Sequence, residues 1–232
     1  MIHRATRLAL TGLLLAAAPI TAALPQSGSR DWNQTFADTG KGHRMGNPAA
    51  PLQLIEFVSY TCPHCANFER QAEGALRLGY VGEGKVAVEV RHVIRNPVDL
   101  AAALVTECGP THSFFANHRT MMLAHDQWMA KARAATPAQQ ARWGSGPVGQ
   151  RMQAIANDLD FHELMAPRGL SVTQINTCLT NEARAEAIAE ASRANSDEFG
   201  VQGTPSFVIN NRLAPDVHSW DSLRPLLDRA QS

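Results

Sequence analysis

The 232-residue sequence has no surplus of either charge: 21 Lys and Arg balance 21 Asp and Glu. No run of Lys or Arg stands out, so nothing in it builds the electrostatic footprint of a nucleic-acid-binding surface. No internal repeat is evident. The chain is not short of apolar residues, which make up 44% of it, so the composition is that of a folded chain with a sizeable core. Its length suits one large domain or one domain carrying an insertion. Cysteine is scarce: Cys62, Cys65, Cys108 and Cys178 are the four in the chain. Only the first two are neighbours, so the second knuckle of a structural zinc site is missing.

A membrane-spanning run is also missing from the N-terminus. "MIHRATR" is basic, "LALTGLLLAAAPI" is a 13-residue apolar stretch, and "TAALP" supplies small residues. A bilayer core needs about 20 apolar residues, so this segment reads as a secretory signal over residues 1–23, cleaved after Ala23. Arg4 and Arg7 are not adjacent, which favours the general secretory route over the twin-arginine one. No cysteine lies near the cleavage point to carry a lipid. The expected compartment is the periplasm, or secretion beyond it, and there an even set of cysteines can pair.

Residues 24–50 are rich in Gly, Pro, Ser and Asn and read as exposed, with one short edge strand, residues 24–40 forming the lead-in ahead of the domain. "LQLIEFVSY" is a nearly continuous apolar run, the pattern of a buried strand. "ANFERQAEGALRLG" follows with helical periodicity up to Gly79, and "KVAVEVRHVIR" alternates like a strand. Strand, helix and strand make a βαβ unit with parallel strands. From residue 98 to about 199 no convincing strand occurs, and residues 98–179 are expected to form a helical insertion. "TPSFVIN" then returns to strand, and "SWDSLRPLLDRA" closes as a helix. The expected α/β organisation is therefore a domain from residues 41–97 and 180–232, interrupted by the insertion.

The chemistry centres on "TCPHC", where a strand ends and a helix begins. Such a pair can hold a metal, lock a loop or exchange electrons. A metal is disfavoured by the single knuckle, with His64 poorly aimed at an ion shared by both flanking sulfurs. A purely structural bridge here is strained and closes almost no loop. The redox reading fits the placement better. Cys62 falls at or beside the helix N-cap and Pro63 at the first helical position, which tolerates its missing N–H. Free N–H groups and the positive helix end then face the Cys62 sulfur and favour its thiolate. His64 can add a donor or a positive charge. Cys65, one turn on, is placed to resolve a mixed disulfide and is expected to be more buried and less acidic.

"LIEFVSYTCPHCANFE", together with "QGTPSFVIN" and the lead-in "MGNPAAP", resembles the thioredoxin-fold thiol–disulfide oxidoreductases of the DsbA type. The resemblance covers most of residues 41–232 and implies a thioredoxin-like fold with a large α-helical insertion. It implies that Pro205 is the cis-proline beside the active cysteines, with Thr204 facing the sulfurs and offering its backbone to an extended substrate. It matches Glu56 to a buried acid that moves a proton for Cys65; the bland alternative is a strand residue facing solvent. An acid within "LIEFV" is costly unless paired or functional. The attacking cysteine has a pKa of about 7 in thioredoxin and about 3.5 in DsbA, and stabilising that thiolate makes the disulfide oxidising. The resemblance therefore implies donation of disulfides to folding secreted proteins with free thiols, no cofactor, and reoxidation by a membrane quinone-linked partner. A monomer is expected. An isomerase or reductase on the same fold is the main rival, although the dimerisation domain usual for such isomerases has no room here. A non-catalytic chaperone-like module is the other.

Cys108 and Cys178 lie inside the helical segment. They read as a structural disulfide; a second redox relay or two buried thiols are the alternatives. His118 and His125 are expected on one helix, about 10 Å apart and too far to share a metal. The remaining histidines carry no motif.

Overall fold

The computed structural model describes residues 31–229, so the signal expected over residues 1–23 lies outside the described residues. Its centre is a six-stranded sheet in the order β1-β2-β4-β3-β5-β6. The strands are β1 (Phe36–Asp38), β2 (His43–Met45), β3 (Leu52–Val58), β4 (Val86–His92), β5 (Ser206–Ile209) and β6 (Arg212–Leu213). The expected βαβ unit is present: β3 and β4 run parallel from Leu52↔Val86 to Val58↔His92, joined through helix α1 (Pro63–Leu76). All other strand pairs are antiparallel. After Leu76 the chain continues through a π-helical turn, Arg77–Val81, instead of stopping at Gly79.

The lead-in holds more sheet than the one short edge strand expected of it. Phe36–Asp38 is that edge strand, and the additional β2 pairs with it and with β4, burying His43 and Met45. Strands of three residues are too short to display an alternation that separates them from loop.

β3 is covered on both faces, which explains its near-continuous apolar run. Leu52 and Leu54 join Phe68, Ala72 and Leu76 of α1, and Trp220, Leu223 and Leu227 of helix α10 (Trp220–Arg229), in one core. Ile55 and Phe57 face the other way, with Phe57 packed 5.9 Å from Phe199. Period-two alternation puts Glu56 on the Leu52–Leu54 face, towards α1.

Between β4 and β5 the described chain is wholly helical: α2 (Pro97–Thr106), α3 (Phe114–Leu123), α4 (His125–Arg133), α5 (Pro137–Gly144), α6 (Val148–Asp158), α7 (Phe161–Met165), α8 (Val172–Leu179) and α9 (Glu182–Phe199). His118 and His125 are not on one helix, because the chain breaks at Ala124 between α3 and α4. The helices build a second core around α2, and Val58, Tyr60, Cys62 and Cys65 belong to it. The helical segment thus packs directly behind the dithiol. Cys108, just after α2, is disulfide-bonded to Cys178 of α8 across 70 positions, with Cα atoms 5.7 Å apart.

Candidate active site

Cys62 is the N-cap of α1 with extended backbone, and Pro63 occupies the first helical position. The loop that delivers Cys62 is held from α2. Asp99 is fully buried; its Oδ1 accepts from the Ser59 hydroxyl at 2.7 Å and the Thr61 N–H at 2.9 Å, and its Oδ2 from the Arg95 N–H at 3.0 Å. Asn96 caps α2 and also donates to Thr61 Oγ1 at 3.1 Å.

Cys62 and Cys65 are both buried free thiols. Across the sheet, the Thr204–Pro205 peptide is cis, and the Cys62 thiol donates to the Thr204 carbonyl at 3.2 Å. The Thr204 hydroxyl is buried without another partner, beside the same sulfur. The Cys62 thiol is pulled from its ordinary 9.0 down to about 4. The largest cause is a hydrogen bond from the Cys65 thiol; burial opposes it, and the Thr204 hydroxyl and the backbone N–H groups of Cys65 and His64 add to it. Cys65 moves the other way, pushed well up by burial and by the neighbouring Cys62. The two sulfurs thus differ sharply in acidity, Cys62 ionising readily and Cys65 reluctantly. His64 contributes its backbone N–H; its exposed side chain makes no hydrogen bond among the described residues.

Glu56 is 4% exposed, so the solvent-facing alternative does not hold. Burial, and then the nearby Glu69, raise its carboxyl well above the ordinary range. Glu56 and Glu69 line a cavity of about 350 Å³ between the sheet, α1 and α3, together with Phe68, Phe115, His118 and Arg119. His118 was not singled out by motif, yet it is bound into this region. The Tyr60 hydroxyl donates to Thr106 Oγ1, so its 2.9 Å contact with His118 Nδ1 makes that nitrogen the donor. His118 Nε2 then faces Glu69 Oε2 at 3.7 Å.

Asp99, Glu69 and His118 are the residues here that sequence reasoning missed. Asp99 resembles any first-turn helix acid; its role appears only once α2 is seen against the Ser59–Thr61 loop.

A family model described as Thioredoxin matches residues 38–229. The chain belongs to this thioredoxin family. Among solved structures, a protein-disulfide isomerase from Novosphingobium aromaticivorans is 44% identical with a TM-score of 0.78, covering 82% of this chain and 97% of that one. Wolbachia pipientis alpha-DsbA1 shares the fold at 18% identity and TM-score 0.65, covering 81% of this chain and 89% of that one. Among curated family relatives, a "Putative protein-disulfide oxidoreductase" of Rickettsia typhi is 25% identical over 84% of this chain. One from Rickettsia prowazekii is 32% identical over 80% of this chain. The chain spans 64% and 60% of the length of these two relatives. No helix among the described residues is long and apolar enough to cross a membrane.

Proposed function

We propose that this protein is an exported dithiol oxidase that donates its Cys62–Cys65 disulfide to folding secreted proteins. The observation that carries the reading is the opposed ionisation of the two sulfurs, Cys62 drawn down to about 4 and Cys65 pushed up. A thiolate stabilised in the reduced form makes the oxidised form the stronger acceptor of electrons.

The chemistry follows from this asymmetry. A substrate thiolate attacks the Cys62 sulfur of the oxidised enzyme, forming a mixed disulfide and breaking the Cys62–Cys65 bond. Cys65 leaves as the less stable thiolate and takes a proton, a role that suits Glu56, whose carboxyl is buried, holds its proton more tightly than usual and acts electrostatically on Cys65. A second substrate thiolate attacks the substrate sulfur of the mixed disulfide and expels Cys62, whose thiolate is the better leaving group. The substrate gains a disulfide, and two electrons remain on the enzyme for a membrane quinone-linked partner to remove. Thr204 and Pro205, against the Cys62 sulfur, hold the substrate backbone. Cys108–Cys178 stays closed and ties the helical segment together.

A second reading, disulfide isomerisation, is favoured by the name of the Novosphingobium structure. It uses the same Cys62 thiolate, attacking a wrong substrate disulfide. The test offers oxidised enzyme to a reduced unfolded protein, and reduced enzyme to a scrambled one. Stoichiometric oxidation of the first, with Cys65→Ser trapping a mixed disulfide and Cys62→Ser inactive, supports the oxidase. Efficient rescue of the scrambled substrate without oxidation of the reduced one supports the isomerase. Aggregation suppression that survives Cys62→Ser, with no thiol chemistry, leaves only a chaperone-like binder.

A further inference from the structure

A second cluster of reactive side chains is buried away from the dithiol. His43 of β2, His92 at the end of β4 and Glu107 after α2 place their donor atoms within 4.8 Å of one another. Glu107 Oε1 lies 3.1 Å from Nε2 of His43 and 3.1 Å from Nε2 of His92. Its other oxygen is taken: Arg184 Nε donates to Oε2 at 2.5 Å, which fixes the carboxylate and leaves Oε1 turned to the imidazoles.

His43 is the anomaly. Its ring is 5% exposed and stacked 3.8 Å from Phe114, yet neither Nδ1 nor Nε2 has a hydrogen-bond partner. The 3.1 Å approach to Glu107 is therefore close but not aligned as a hydrogen bond. Buried imidazole nitrogens that lose water without gaining a hydrogen bond call for a bound water or ion.

We propose that His43, His92 and Glu107 bind one divalent transition-metal ion, with zinc as the representative. Two imidazole nitrogens and one carboxylate oxygen suit such ions, whereas calcium and magnesium prefer oxygen alone. A tetrahedral zinc ion with bonds of about 2.0–2.1 Å holds its donors about 3.3 Å apart. Two of the three separations are already close to this, and all three donor atoms lie within 4.8 Å of one another. Nδ1 of neither imidazole has an outer partner, so binding is weaker than in a closed structural site. The bound ion would tie β2 and β4 to the end of α2, next to Cys108.

Free thiols compete for soft metal ions, so the test uses the full chain with Cys62–Cys65 oxidised and stripped of metal. Titration with Co²⁺ should give one ion per chain, a visible d–d band without sulfur-to-cobalt charge transfer, displacement by Zn²⁺, and a Tm raised by Zn²⁺. His43→Phe keeps the ring stacked on Phe114 but removes the donor, and should lose this binding while keeping its metal-free Tm. No Co²⁺ uptake by the oxidised wild type, or uptake unchanged in His43→Phe, overturns the proposal. If His43→Phe does not fold, X-ray absorption on the zinc-loaded, oxidised wild type decides. Two imidazoles plus oxygen donors support the site; a sulfur shell or a water-only shell overturns it.

Discussion

The Cys62 sulfur sits 3.2 Å from the carbonyl oxygen of Thr204, a residue 142 positions further along the chain. The contact places the unpartnered Thr204 hydroxyl beside the sulfur as well, where it donates once Cys62 is ionised. Thr204→Val removes that donor and little else. Hydrogen bonds to charged groups contribute about 1.5–3 kcal/mol, so the Cys62 pKa should rise by roughly one to two units. Thiolate absorbance near the ultraviolet edge, followed against pH, measures it. Thr204→Ser should retain most of the wild-type value.

The low pKa of Cys62 has a stability signature with a definite sign. Its folded value, about 4, lies below its ordinary 9.0. The thiolate therefore stabilises the folded dithiol form fully above pH 9.0 and progressively less as pH falls through about 4. The disulfide form has no such ionisation. Reduction should raise Tm at neutral pH, and the gap between the two forms should close towards pH 4. Paired thermal melts across that window check it; a gap independent of pH would count against a stabilised thiolate.

Glu56 behaves oppositely. Burial and Glu69 hold its folded pKa above the ordinary 4.5, so Glu56 subtracts stability as pH rises past 4.5, until the folded group itself ionises. Glu56→Gln should flatten that part of the pH–stability curve. The same variant should slow the step in which Cys65 exchanges its proton by about a hundredfold or more, as expected for losing a positioned acid–base group. Stopped-flow reaction with a reduced peptide separates this step from the first attack.

Asp99 holds the Ser59–Thr61 loop and the Arg95 backbone through three hydrogen bonds to one buried carboxylate. Asp99→Ala takes the acceptor from the buried Ser59 hydroxyl and from the part-buried Thr61 and Arg95 N–H groups, and should cost about 2 kcal/mol or more in denaturant unfolding. Exposed Glu186 of α9, replaced by alanine, is the control and should change stability by about 0.5 kcal/mol or less.

What was legible in the sequence was local. Apolar runs at 52–58 and 86–92, and Pro63 directly after Cys62, encode strand, turn and helix through side-chain alternation and backbone chemistry. Thr204 and Pro205 could be tied to Cys62 only through resemblance, because no periodicity links positions that far apart. β2 escaped because three residues hold too little pattern, and Ala124 does not advertise a helix break. Asp99, His118 and the His43–His92–Glu107 cluster depend on which elements pack together. Their residue types at their own positions look like ordinary helix and strand residues.

The central claim is that Cys62–Cys65 gives disulfides away, and its reduction potential tests this most directly. Equilibration with glutathione redox buffers, read by the fraction of oxidised protein, measures it. The account predicts a value near DsbA's, at about −120 mV; a value near thioredoxin's, at about −270 mV, would contradict it.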